Sequence, residues 1–184
     1  MIKGIFMSDK IISNQPVSET QLALAEQIIR SLQQELRERI KRGAGPFLAA
    51  VYDEKGNLIA KAANSVVDDV CSNHHAEMNA IRRAEAKHGS FDLAPFHLSL
   101  YVTSEPCLMC MGGIMWSGIR AVYYGVPSSR VEEITGFDEG FKPDWLSEFN
   151  KRGILVCGNI AAEEGEAVLQ EYVSAGHQVY KTSR

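Results

Sequence analysis

Residues 75–110 read HAEMNAIRRAEAKHGSFDLAPFHLSLYVTSEPCLMC, and this stretch decides the fold. His75 to His88 carries helix formers, with Gly89 placed as the C-terminal stop. His97 to Thr103 has the apolar, β-branched character of a strand, and Ser104-Glu105-Pro106 forms a loop before a second helix from Cys107 to about Ser117. Each helix follows a loop, and each first turn carries ligand-type residues. In a helix that begins at Cys107, Cys107 and Cys110 are three residues apart and share a face, so both sulfurs can reach one ion, and the helix N-terminus favours thiolate over thiol. With His75 they form a Cys-Cys-His set, three of the four tetrahedral ligands zinc requires. The fourth position is left to water, as in a catalytic site. Glu77, two residues beyond His75, need not face the metal and is free to act as an acid/base group.

Working outward, Ser18-Glu19-Thr20-Gln21 has capping-box spacing. Leu22, Ala25, Ile28, Ile29, Leu32, Leu36 and Ile40 then recur at three- and four-residue steps, which predicts an amphipathic helix ending near Arg42. Phe47 to Tyr52 and Leu58 to Ala63, joined through Asp53-Glu-Lys-Gly56-Asn57, read as a β-hairpin. Downstream, Ala121 to Val126 and Ile154 to Cys157 read as buried strands, and Glu163 to Ser174 as a last helix. Between them, Gly136 to Gly140 is a loop separating short helical pieces. Residues 1–17 are expected to be a loose lead-in and residues 18–184 one domain. Strands alternating with helices predict a layered α/β domain.

The composition fits. Of 184 residues, 45% are hydrophobic and 23% charged, with 15 Gly and 6 Pro, the balance of a chain with one filled core. A domain of this size needs no metal staple for stability, so a bound ion would be there for chemistry. Nineteen basic against 23 acidic residues give a net charge of −4, which disfavours nucleic acid as a partner. No apolar run is long enough to span a membrane or form a signal-peptide core, so a cytoplasmic protein is expected. Without an export signal, the C-x-x-C among the four cysteines points to metal or redox use rather than disulfides. Taken alone, a C-x-x-C is a redox pair or half of a structural zinc site, and H-A-E is an ordinary helix start. The spare candidates for a fourth structural ligand, His74, Cys71 and Cys157, repeat no paired spacing, and none is assigned a role.

Together, H-x-E followed by P-C-x-x-C is the signature of zinc-dependent nucleobase deaminases. The chain resembles the cytidine deaminase superfamily over roughly residues 18–175, most like bacterial guanine deaminases. The resemblance implies a three-layer α/β/α sandwich around a five-stranded mixed sheet, and one zinc per subunit on His75, Cys107 and Cys110. It also implies hydrolytic deamination of guanine to xanthine and ammonia, with Glu77 as proton carrier. Asn64 stands where the family's purine-binding amide is found, and Phe47 and Trp116 match aromatics that line its base pocket. The backbone N–H near Ala76 is a candidate to fix the base. Gly136-Phe137-Asp138-Glu139-Gly140-Phe141 resembles the family's G-F-D-[DE]-x-F loop, which places Glu139 at the substrate's exocyclic amine as a second proton donor. Tyr180 corresponds to a C-terminal aromatic that closes the partner subunit's site in a domain-swapped homodimer. The plainer readings are a turn Asn, core aromatics and a solvated acidic loop. Leu48 replaces a small residue and Leu108 a frequent Pro, and a bulkier Leu48 would narrow the wall beside Phe47. Three other activities remain open: deamination of ammeline or cytosine, of tRNA adenosine, or no turnover in a structural zinc-binding interaction domain.

Overall fold

The computed structural model describes residues 11–180. Among them are six strands, β1 (Ile12–Ser13), β2 (Leu48–Tyr52), β3 (Leu58–Ala63), β4 (Ser99–Ser104), β5 (Ala121–Val126) and β6 (Leu155–Gly158). The helices are α1 (Glu19–Ile40), α2 (Ala76–His88), α3 (Leu108–Ser117), α4 (Ser128–Thr135), α5 (Trp145–Lys151) and α6 (Ala162–Ser174). The sheet order is β1-β6-β5-β4-β2-β3. Pairings β4–β5 and β5–β6 are parallel and the others antiparallel, so the sheet is mixed as expected.

It has six strands rather than five because β1 pairs with β6 at the edge. Residues 11–17 are therefore not a loose lead-in. The Asn14 side chain donates to the carbonyls of Leu146 and Ile154 and accepts from the Val156 N–H, which ties the segment to the sheet edge. A two-residue strand held by one Asn leaves no periodicity to read. The rest of the expected lead-in, residues 1–10, lies outside the described residues.

Alternation along the strands sends side chains to two cores. Ala49, Val51, Leu100, Val102, Val122, Tyr124 and Val156 pack against Ala80, Ala84, Met111, Ile114, Trp145 and Phe149, which come from α2, α3 and α5. Leu48, Ala50, Tyr101, Tyr123 and Cys157 pack against Ile29, Leu32, Leu36, Val168 and Tyr172 of α1 and α6. The product is a three-layer α/β/α sandwich. Helix α1 starts where the sequence placed it: the Ser18 side chain accepts from the Gln21 N–H, and Gln21 closes the reciprocal bond of the capping box. Each large apolar side chain of its buried stripe, such as Ile29 or Leu36, contributes about 2 kcal/mol by leaving water.

Candidate active site

The parallel pair β4–β5 is joined through α3, and β4 also borders the antiparallel β2. Beyond the C-terminal end of β4, at this change of direction, the N-termini of α2 and α3 meet; ligands of open α/β sheets bind at such points. His75 is the N-cap residue of α2 and Cys107 that of α3, both with extended backbone. Close packing brings the two helices together. A Cβ on Gly113 of α3 would stand 2.4 Å from the Met78 sulfur of α2, so a larger residue there would require the Met78 side chain to move.

The Cys107 Sγ lies 3.5 Å from His75 Nδ1 and 3.6 Å from Cys110 Sγ, and Cys110 Sγ lies 3.6 Å from His75 Nδ1. In a tetrahedral zinc site with Zn–S about 2.3 Å and Zn–N about 2.0 Å, neighbouring donor atoms stand about 3.5–3.8 Å apart. The three atoms therefore have the spacing of three corners of one coordination shell, and they form the one cluster among the described residues able to hold a metal ion. The local electrostatics match that donor set. The neighbouring Cys110 thiol and then His75 hold the Cys107 pKa down to about 4, so Cys107 is a thiolate. Cys110, next to that charge and buried, is pushed up. For His75, burial alone would lower the pKa, but the contact with Cys107 and the charge of Glu77 raise it overall.

Glu77, Glu105, Asp138 and Glu139 line the same cavity of about 750 Å³, and two of these carboxyls are strongly perturbed. Glu77, in the first turn of α2 and 6% exposed, has its pKa raised to about 7 by burial and then by the charge of Cys107. Glu139 is raised to about 8, again chiefly by burial, and its Oε2 is buried without a hydrogen-bond partner. The sequence interval between Thr135 and Trp145 thus carries a carboxyl into the cavity instead of a solvated acidic loop. Both acids sit near the pH at which a group can give and take a proton.

Aromatic rings form the opposite lining. Phe47 and Phe137 have ring centroids 5.4 Å apart, and Phe137 and Tyr180 5.1 Å. Asn64, 6% exposed, donates from Nδ2 to the Tyr180 hydroxyl at 2.9 Å and accepts the Val66 N–H at 3.1 Å; it lines not this cavity but a smaller one of about 200 Å³ that shares Tyr180. Tyr180 thus lines the cavity within this chain, beside Asn64 and Phe137. Trp116 differs from expectation. It is 83% exposed on α3 and does not line the cavity, since it lies two turns from the α3 N-terminus on the helix face away from the sheet. Leu48 is fully buried toward α1 and so does not narrow the wall beside Phe47. Leu108 does line the cavity. Ala76 is fully buried at the start of α2.

Three residues here were not singled out from the sequence. Phe137 joins Phe47 to Tyr180. Glu105 accepts from the Ser128 N–H and from Trp145 Nε1, fastening the loop before Cys107 to α4 and α5; a charged residue directly before Pro106 was its only signal. Asn79 is a buried amide on the inner face of α2, visible in the sequence as a polar residue between apolar ones at helical spacing.

With this geometry in view, the comparisons with known proteins are specific. Residues 23–126 match the family model described as the cytidine and deoxycytidylate deaminase zinc-binding region. The chain belongs to that family. Within it, the chain is similar to guanine deaminases. It is 36% identical to the guanine deaminase of Bacillus subtilis over 104 residues, 56% of this chain and 65% of that protein. It also resembles the solved structure of guanine deaminase from Nitrosomonas europaea, with TM-score 0.77, 33% identity and coverage of 86% of this chain and 94% of that one. A probable cytosine deaminase of Schizosaccharomyces pombe is 34% identical over 145 residues, 78% of this chain and 82% of that protein.

Proposed function

We propose that this chain is a zinc-dependent hydrolase that converts guanine and water to xanthine and ammonia. The observation that carries the proposal is the convergence, in one aromatic-walled cavity, of a Cys-Cys-His donor triangle with two carboxyls, the buried Glu77 and the half-buried Glu139, whose pKa values lie near neutrality. Similarity to guanine deaminases from two organisms supports the choice of base.

His75, Cys107 and Cys110 would hold one zinc ion, which when bound supplies a Lewis acid that makes water nucleophilic near neutral pH. The remaining work falls to the chain's own side chains. Phe47, Phe137 and Tyr180 enclose the planar base and exclude bulk water. The Asn64 carboxamide turns from Tyr180 to the purine edge, where its donor and acceptor can meet a ring nitrogen and a carbonyl together. The backbone N–H near Ala76 is a further donor to the base. Glu77 takes a proton from the water that attacks C2 and passes it to the adjacent ring nitrogen. Glu139, largely protonated at pH 7 with a pKa of about 8, gives its proton to the exocyclic nitrogen as the C2–N bond breaks and ammonia leaves, and the proton released from the C2 hydroxyl as it becomes the carbonyl restores Glu139. One water is consumed, and no other reactant is required.

The chain is further proposed to form one domain, with Ile12 and Ser13 part of its sheet, and to act as a homodimer in the cytoplasm, in the breakdown of purines. No helix among the described residues is long and apolar enough to cross a membrane. The similarity to a probable cytosine deaminase supports a second reading in which the base is cytosine or another aminated heterocycle. The test is ammonia release from zinc-loaded protein offered guanine, ammeline, cytosine, adenine and cytidine in parallel. Turnover of guanine above the others is expected; turnover of cytosine alone would replace the substrate, and silence across the panel would overturn the enzyme assignment.

A further inference from the structure

We propose that Asn79 is a positioning residue that couples the metal-binding end of the site to its base-binding end. The inference rests on the reading above for the roles of His75 and Asn64. Asn79 is 3% exposed and lies four residues after His75 on α2, with its backbone N–H on the His75 carbonyl at 2.9 Å. Helical side chains lean toward the N-terminus, so its carboxamide lies beside the residues that enter the helix. There, Nδ2 is 3.1 Å from the carbonyl of Ala63, 3.1 Å from the carbonyl of His74 and 2.9 Å from the Ser65 hydroxyl.

Ala63 and His74 are the residues immediately before Asn64 and His75. A peptide plane is rigid, so fixing the carbonyl of one residue fixes the backbone nitrogen of the next and the base from which its side chain projects. One buried NH2 group therefore sets the origin of both the amide that meets the base and the imidazole that meets the metal. The chain between them makes a ten-residue excursion, residues 64–73, whose base is closed here and by the Ser65 N–H on the His74 carbonyl at 2.9 Å, with the Cys71 N–H on the Val66 carbonyl one step further out. Without the Asn79 donor, the half-buried carbonyls of Ala63 and His74 each lose a partner, and the two sides of that base are held together less firmly.

The experiment uses the full chain with Asn79→Leu, which keeps the volume and removes the donor, and Asn79→Ser, which keeps a shorter donor. Zinc affinity is measured by chelator competition and guanine KM by ammonia release, each alone and combined with Asn64→Ala. Loss of a partner that orients a metal ligand lowers metal affinity about 10- to 100-fold, and this is expected in Asn79→Leu. A higher KM is expected beside it, and that KM effect should disappear in the Asn64→Ala background while the zinc effect persists. A purely structural role predicts a lower Tm with zinc affinity and KM unchanged, or a KM effect of the same size in both backgrounds; either overturns the coupling. If neither variant folds, Asn79 holds the fold instead of tuning the site, and the proposal falls. If the wild type does not deaminate guanine, the functional reading fails separately, and chelator competition still decides whether Asn79 positions His75.

Discussion

The two ends of the cavity are built by opposite strategies. The metal end stands on regular structure: His75, Glu77, Cys107 and Cys110 all occupy the first turns or N-caps of two helices, locked together where Gly113 meets Met78. The base end stands on segments that leave regular structure, with Phe137 and Glu139 between α4 and α5 and Tyr180 beyond α6, where Asn64, just past β3 and outside the cavity lining, bonds its hydroxyl. On the function proposed above, the metal donors stand where geometry is stiffest, and the contacts to the base stand where backbone can vary without unpacking a core.

If that division holds, damage to the metal end should remove turnover outright. Cys107→Ala is expected to lose zinc, measured by metal analysis of the purified protein, and to reduce ammonia release to background. Glu77→Gln should separate ligand from proton carrier: zinc content stays, while kcat falls about 10²- to 10⁴-fold, the usual contribution of general acid–base catalysis.

The base end should show graded effects. Glu139→Gln is expected to lower kcat by about 100-fold and to change stability in the opposite sense. Because the folded-state pKa of Glu139 is raised from 4.5 to about 8, the folded protein binds its proton more tightly than the unfolded chain does. The stability this gives is fully present below about 4.5 and is lost as pH rises through 8. The variant, which does not ionise there, should therefore gain in Tm over the wild type between those values and keep the gain above them; thermal melts at pH 5 and pH 9 check it. Asn64→Ala should raise KM about tenfold, the size of one unmade hydrogen bond, with zinc content unchanged. Trp116→Ala, at an exposed position, should change stability by less than about 0.5 kcal/mol; a shift in sedimentation instead would place Trp116 in a subunit contact.

The same contrast explains what could be read from the sequence. The metal end was legible because its spacing is local: a helix start fixes which way residues at i and i+3 point, so Cys107 and Cys110 meet with no knowledge of the remaining fold. Helix α1 was legible for a similar reason, its cap and stripe being periodic. The base end was legible only through resemblance, since nothing local says that Phe137 packs at an angle between Phe47 and Tyr180 or that Glu139 is carried inward. Trp116 shows the limit: position matches it to a pocket role, and the fold sets it in solvent. The short β1 and the Asn79 clamp were missed because each depends on hydrogen bonds to residues distant in sequence, which leave no periodic trace.

The most direct test of the central claim is turnover of guanine in ¹⁸O-labelled water by zinc-loaded wild-type protein and by Glu77→Gln in parallel. The account predicts xanthine carrying one ¹⁸O atom and one equivalent of ammonia from the wild type, with both lost in the variant while its zinc is retained. Unchanged guanine with the wild type, or labelled xanthine formed equally fast by Glu77→Gln, would contradict it.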